Sequence, residues 1–208
     1  ALVGVEDGGT KALEILDLLK MLNEKGNKDI SPDLVTYNAI LNCIAKENRM
    51  SRTKRNWNAS DIGERAESLL QRMETGKEGN HITPDLISYN SVLTSYMNSN
   101  TSDSASRAQH LLEKMIDSDI DPDLLSYTIC INTLAKSKLQ GSAQKAEDLL
   151  RILENASLDG DSSLRPDVKC YNSVLHAWAT SDEKIATKKI LQLLKEMRAI
   201  PVRITRIS

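Results

Sequence analysis

The 208-residue chain contains no phenylalanine, and its aromatic residues amount to 3%. A core must then come from Leu, Ile, Val, Ala and Met, a composition that suits helices packed in layers and argues against a β-sandwich. Cysteines are few: Cys43, Cys130 and Cys170 lie far apart without CxxC spacing. Neither a disulfide scaffold nor a zinc site is signalled, and a reducing compartment is the natural reading. His81, His110 and His176 share no ligand spacing with one another or with a cysteine, so no metal is expected. No apolar run approaches the roughly 20 residues needed to cross a bilayer, which leaves no expectation of a membrane partner. Positive charge is not in excess either, with 27 Lys plus Arg against 29 Asp plus Glu and a net charge of -2. Bulk charge therefore does not announce a phosphate-rich ligand. Phosphate loops, nucleophile motifs and the deaminase pattern are also missing, so the chain reads as a binding module without catalysis, cofactor or small-molecule substrate. It starts at Ala1 without a recognisable signal peptide, and we expect a processed or excised piece of a longer chain.

What the chain does contain is a repeat. Hydrophobic residues are 40% and charged residues 27%, inside the globular range, and the length suits one elongated domain or two small ones. Four segments align without gaps: PDLVTYNAIL from Pro32, PDLISYNSVL from Pro84, PDLLSYTICI from Pro122 and PDVKCYNSVL from Pro166. In each, apolar residues recur at i, i+3, i+4 and i+7, the stripe of an amphipathic helix, here called helix A. The stripes are Tyr37, Ile40, Leu41, Ile44; Tyr89, Val92, Leu93, Tyr96; Tyr127, Cys130, Ile131, Leu134; and Tyr171, Val174, Leu175, Trp178. The tyrosines that open them are read as packing residues. A second stripe, helix B, follows each helix A, and one copy precedes the first Pro-Asp: Ala12, Ile15, Leu16, Leu19; Ala66, Leu69, Leu70, Met73; Ala108, Leu111, Leu112, Met115; Ala146, Leu149, Leu150, Leu153; and Ile190, Leu193, Leu194, Met197. Neither helix can bury its stripe alone, whereas stacked pairs make a continuous core, so the expected fold is all-α, an α-solenoid. One solenoid over 1–208 is expected, with a half repeat at 1–33 and repeats at 34–85, 86–123, 124–167 and 168–208. Each Pro-Asp is good start chemistry for helix A, because proline cannot continue a preceding helix and the aspartate can cap free N–H groups.

Helix A carries a further pattern that core packing does not require. At i, i+3 and i+7 stand Val35, Asn38, Asn42; Ile87, Asn90, Thr94; Leu125, Thr128, Asn132; and Lys169, Asn172, His176. An apolar group beside a short amide or hydroxyl, shown once per repeat, suits a row of flat polar ligands. Unstacked bases of a single-stranded nucleic acid are such a row.

Pro-Asp-x-x-x-Tyr-Asn followed by Ala-x-x-Leu-Leu-x-x-Met resembles the pentatricopeptide repeat (PPR) family, and the motifs extend from about Lys11 to Met197. The resemblance implies a right-handed superhelix that binds single-stranded RNA one base per repeat, with A helices lining the inner surface. It also implies a place in mitochondria or chloroplasts, in RNA processing, stability or translation. By motif it pairs the residue after the helix A tyrosine with the aspartate of the next Pro-Asp: Asn38 with Asp85, Asn90 with Asp123, and Thr128 with Asp167. Asn/Asp pairs imply uracil and Thr/Asp implies guanine; Asn172, which no Pro-Asp follows, is read as preferring a pyrimidine. The implied string, 5′ base at the N-terminal repeat, is U-U-G-pyrimidine. Val35, Ile87 and Leu125 stand where the family sandwiches bases, with Lys169 at that place in the fourth repeat. Lys46 and Lys136 stand where it contacts phosphate, and Asn98 and Thr180 occupy the other two such places.

Two function classes follow from this. The first is sequence-preferring RNA binding; the alternative is a protein-interaction scaffold or organellar ribosome component that leaves the base code idle. A loop bearing Arg49, Arg52, Lys54 and Arg55 reads either as an RNA or ribosome contact or as a solvated insertion. The C-terminal end from Lys184 to Arg206 is basic as well, whereas the stretch from Asp117 to Asp123 repels phosphate unless it faces outward.

Overall fold

A computed structural model describes residues 8–27, 30–47, 61–75, 82–99 and 101–199. The basic loop at 49–55, His81 and the basic residues beyond 199 lie outside the described residues. The described chain is helical and without strands: α1 (Gly8–Glu24), α2 (Leu34–Ala45), α3 (Asp61–Glu74), α4 (Leu86–Asn98), α5 (Ser104–Asp117), α6 (Leu124–Ser137), α7 (Ser142–Leu158), α8 (Val168–Thr180) and α9 (Ala186–Ala199). Helices α2, α4, α6 and α8 are the four A helices, and α1, α3, α5, α7 and α9 are the B helices.

Two compact units divide between Pro122 and Asp123. Each is a stack of helical hairpins, the arrangement of an α-solenoid. In the first, α2 packs on α4 as the A layer, with α1, α3 and α5 laid against them. In the second, α6 packs on α8 in the same way, with α7 and α9 against them. This layering follows from the two stripes. Helix α2 buries Tyr37, Ile40, Leu41 and Ile44, and α3 buries Ala66, Leu69, Leu70 and Met73. Each Leu, Ile or Met among them contributes about 1.5–3 kcal/mol when removed from water, and no single helix of this length is stable without such contributions.

The stripe is cleanest in the middle helices. In α1, Ala12 and Leu16 are buried but Ile15 is exposed, and in α9 Leu193 is buried while Leu194 is exposed. The reason is that α1 rests mainly on α2 and α9 on α8, so these helices are covered over a narrower arc.

Polar side chains stitch the B layer within each unit. Arg65 of α3 reaches Thr10 of α1 at 3.1 Å, and it also pairs with Glu47. Lys114 of α5 reaches Glu74 of α3 at 2.6 Å, and Arg151 of α7 reaches Glu196 of α9 at 2.9 Å. The buried Glu147 accepts from the Trp178 indole at 2.9 Å and pairs with Lys189 at 3.1 Å. Tyrosine hydroxyls also bond carboxylates of the B helices: Tyr89 donates to Glu74 at 2.8 Å, Tyr171 donates to Glu154 at 2.6 Å, and Tyr96 donates to Glu67. Burial, with the Glu74 carboxylate beside it, pushes the Tyr89 phenol up to about 12. Tyrosine here is a packing residue with one tethered polar tip.

Candidate nucleic-acid interface

Each A helix starts on the aspartate of its Pro-Asp. Asp33, Asp85, Asp123 and Asp167 are extended N-cap residues whose carboxylates accept from the backbone N–H three residues on. The acceptor distances are 2.8 Å from Thr36, 2.9 Å from Ser88, 2.8 Å from Ser126 and 3.0 Å from Cys170. In the first three helices the Thr or Ser hydroxyl accepts in return from the N-cap N–H, completing a capping box. Such a cap is worth about 1 kcal/mol. Its structural consequence is to fix the phase of the helix. With Asp as N-cap, the tyrosine of the apolar stripe turns inward and the residue two after the aspartate turns outward.

Val35, Ile87 and Leu125 accordingly stand 73%, 60% and 54% exposed. Large apolar side chains in water at equivalent positions of successive A helices are a feature that packing does not explain. Lys169, their counterpart in α8, is exposed too, and Val168 beside it is 57% exposed.

One helical turn on, α2 presents Asn38, half-buried against the start of α4. Its Nδ2 donates to both oxygens of Asp85, at 3.1 and 3.3 Å. Its Oδ1 accepts from the Ser88 hydroxyl at 2.6 Å. That hydroxyl also lies 3.0 Å from Asp85 Oδ1 and accepts from the Asp85 N–H at 3.2 Å. Asn38 and Asp85, paired by the family resemblance, are in contact, and a residue the sequence reading passed over joins them. Because an ionised carboxylate only accepts, the amide must turn its NH2 toward Asp85. Burial disfavours the charged form of Asp85, but the bonds from the Ser88 N–H, the Asn38 amide and the Ser88 hydroxyl outweigh it and hold the carboxyl below its ordinary value.

In α4, Asn90 is buried beside the next turn, where Thr94 donates to its carbonyl at 2.8 Å. Asp123 caps α6 in the second unit. There Thr128 is placed differently from Asn38. Its hydroxyl donates back to the Leu124 carbonyl at 2.7 Å and lies 3.2 Å from the Cys170 thiol. Asp167 is exposed and caps α8; the Thr128 hydroxyl is turned to Leu124 and Cys170 rather than to it. The cause is local: a β-branched Thr bonds its own helix, and Cys170 fills the place that Ser88 holds in α4. Asn172 is exposed on α8.

Lys46 and Lys136 are exposed at the C-terminal ends of α2 and α6. Asn98, at the matching place in α4, donates to the Ala45 carbonyl at 2.8 Å and so closes the end of α2. Thr180 bonds its own helix at His176, 2.9 Å away. Asn132 accepts from Ser173, joining α6 to α8. Among the described residues no three His, Cys, Asp or Glu side chains are grouped to hold a metal. Cys43, Cys130 and Cys170 form no disulfide, and burial pushes the Cys130 thiol up to about 12. No described helix is long and apolar enough to cross a membrane.

The model of the PPR repeat family matches residues 84–136, from the start of α4 into the last turn of α6. The Pro32 and Pro166 repeats fall outside that match and are tied to it by their shared motif and by the same aspartate caps. No curated protein matches the chain.

Proposed function

We propose that the chain is a PPR repeat protein, as the match over residues 84–136 supports, and that it binds single-stranded RNA through its A helices, in organellar RNA processing, stability or translation. The repeats are taken at 34–85, 86–123, 124–167 and 168–208 after a half repeat at 1–33, and the reading string is U-U-G-pyrimidine. The observation that carries this reading is the Asn38 amide held by Asp85, with the large apolar Val35 and Ile87 left exposed on the same two helices. On this reading one Nδ2 hydrogen is shared between the two Asp85 oxygens, and the second N–H and one Oδ1 lone pair of Asn38 are offered to a base. Those two groups match the N3–H donor and the adjacent carbonyl of uracil, while the apolar side chains offer contact to its faces. Asn90, Thr128 with Asp167, and Asn172 are proposed for the following bases. Leu125 and Lys169 are the corresponding face contacts, and Lys46 and Lys136 the phosphate contacts.

The test is fluorescence anisotropy with RNAs repeating U-U-G-U, against A-A-C-A and against DNA of the first sequence. Preference for U-U-G-U RNA that survives physiological salt is expected, and the Asn38→Ala, Asn90→Ala double variant should keep its helicity while losing that preference. Equal binding to all three that vanishes with salt would leave only phosphate attraction. No binding would favour the protein-interaction scaffold.

A further inference from the structure

We propose that Ser88 is a positioning residue of the first reading site, so that this site is the triad Asn38, Asp85 and Ser88 rather than a pair. The inference rests on the RNA reading above and concerns how one base is selected.

Ser88 is fully buried at the start of α4. Its hydroxyl belongs at once to the cap of its own helix and to the amide of the helix before it. The bonds run in one direction: the Asp85 N–H points to Ser88 Oγ, the Ser88 hydroxyl to Asn38 Oδ1, and Asn38 Nδ2 to the Asp85 carboxylate. The Ser88 oxygen already accepts a backbone proton, and its own proton lies between two acceptors, Asn38 Oδ1 at 2.6 Å and Asp85 Oδ1 at 3.0 Å. A reversed Asn38 amide would set carbonyl oxygen against carboxylate and leave the hydroxyl without its nearer acceptor. The ring of bonds therefore determines which edge of the amide faces a base. In the second unit Cys170 takes this place and meets the Thr128 hydroxyl. A thiol is a weak donor and a hydroxyl rotates freely, so no comparable direction is imposed there.

Ser88→Ala removes the hydroxyl but keeps the backbone cap, because Asp85 still accepts from the N–H of residue 88. Thr36→Ala is the control. It deletes the capping-box hydroxyl of α2, which bonds only the Asp33 cap of its own helix and no side chain of another A helix. Affinities are measured for two RNAs that differ only in uracil or adenine at the first repeat. The wild type is expected to prefer uracil, and Ser88→Ala to lose between about threefold and tenfold of that ratio, the worth of one neutral hydrogen bond. Thr36→Ala should lower thermal stability and leave the ratio intact. A Ser88→Ala protein that weakens both RNAs equally overturns the positioning role.

A second readout needs no RNA. Solvent exchange of the Asn38 side-chain amide protons, followed by NMR, should accelerate in Ser88→Ala and not in Thr36→Ala; unchanged exchange overturns the proposal. Faster exchange in a protein whose wild type shows no base preference instead overturns the RNA reading and, with it, the role of Ser88 in selection.

Discussion

The aspartate of each Pro-Asp does the work of a helix cap, and at Asp85 it also holds a side chain of the preceding A helix. Both bonds are stronger to the ionised carboxylate, and the Asp85 carboxyl sits below its ordinary value. Asp33 and Asp103 are lowered in the same direction, Asp33 through its Thr36 bonds and Asp103 first through Thr101. A carboxyl depressed in the folded state adds stability that is complete above its unfolded pKa of about 3.9 and is lost as pH falls through the folded value. Thermal unfolding followed by circular dichroism should therefore show a midpoint that drops once pH falls below about 4. Asp85→Asn should make that acid limb shallower, since Asn caps a helix about as well as Asp but does not titrate. A limb of unchanged steepness would show that Asp85 does not contribute to it. At this scale the cap was legible, because proline and aspartate act on adjacent residues. The Ser88 bridge was not, because its acceptor Asn38 is 50 residues away in sequence.

At the scale of the helix, the apolar period read from sequence matched burial throughout α2 to α7, and in α8 Leu175 is half-buried. It failed at Ile15 and Leu194, where coverage depends on what else packs there. A closer fit was invisible beforehand. Gly63, near the start of α3, lies under the ring of Tyr96, and a Cβ at that position would stand 2.6 Å from two ring carbons. The ring is itself buried, and its hydroxyl is held by Glu67, so it has little freedom to yield. Gly63→Ala gains up to about 1 kcal/mol in helix propensity but should lose more to overpacking, typically about 1–3 kcal/mol. Chemical denaturation should show a lower midpoint for the variant. A higher midpoint would mean that the helix shifts to admit the methyl group.

At the scale of the molecule, the net charge of -2 conceals how the cations are spent. Arg65, Arg72, Arg107, Lys114, Arg151 and Lys189 all pair with carboxylates of the helical layers. Lys46 and Lys136 are the two cations proposed for phosphate. Two phosphate contacts on a single strand predict that log affinity falls with log salt at a slope of about −1.4. Anisotropy titrations across salt concentration should give that shallow slope; a much steeper one would move the phosphate contacts to the basic segments outside the described residues. The sequence by itself determined the helical class, the alternation of A and B helices, the caps that start the A helices and the side chains turned away from the core. These follow from local chemistry and a 3.6-residue period, both written into short stretches of chain. Only the tertiary structure decided that Asn38 is clamped by Asp85 and Ser88, that Thr128 instead meets Cys170, and that Asn98 closes the end of α2. Those are contacts between helices distant in sequence, where a single hydroxyl, thiol or amide at the point of meeting determines which bonds form.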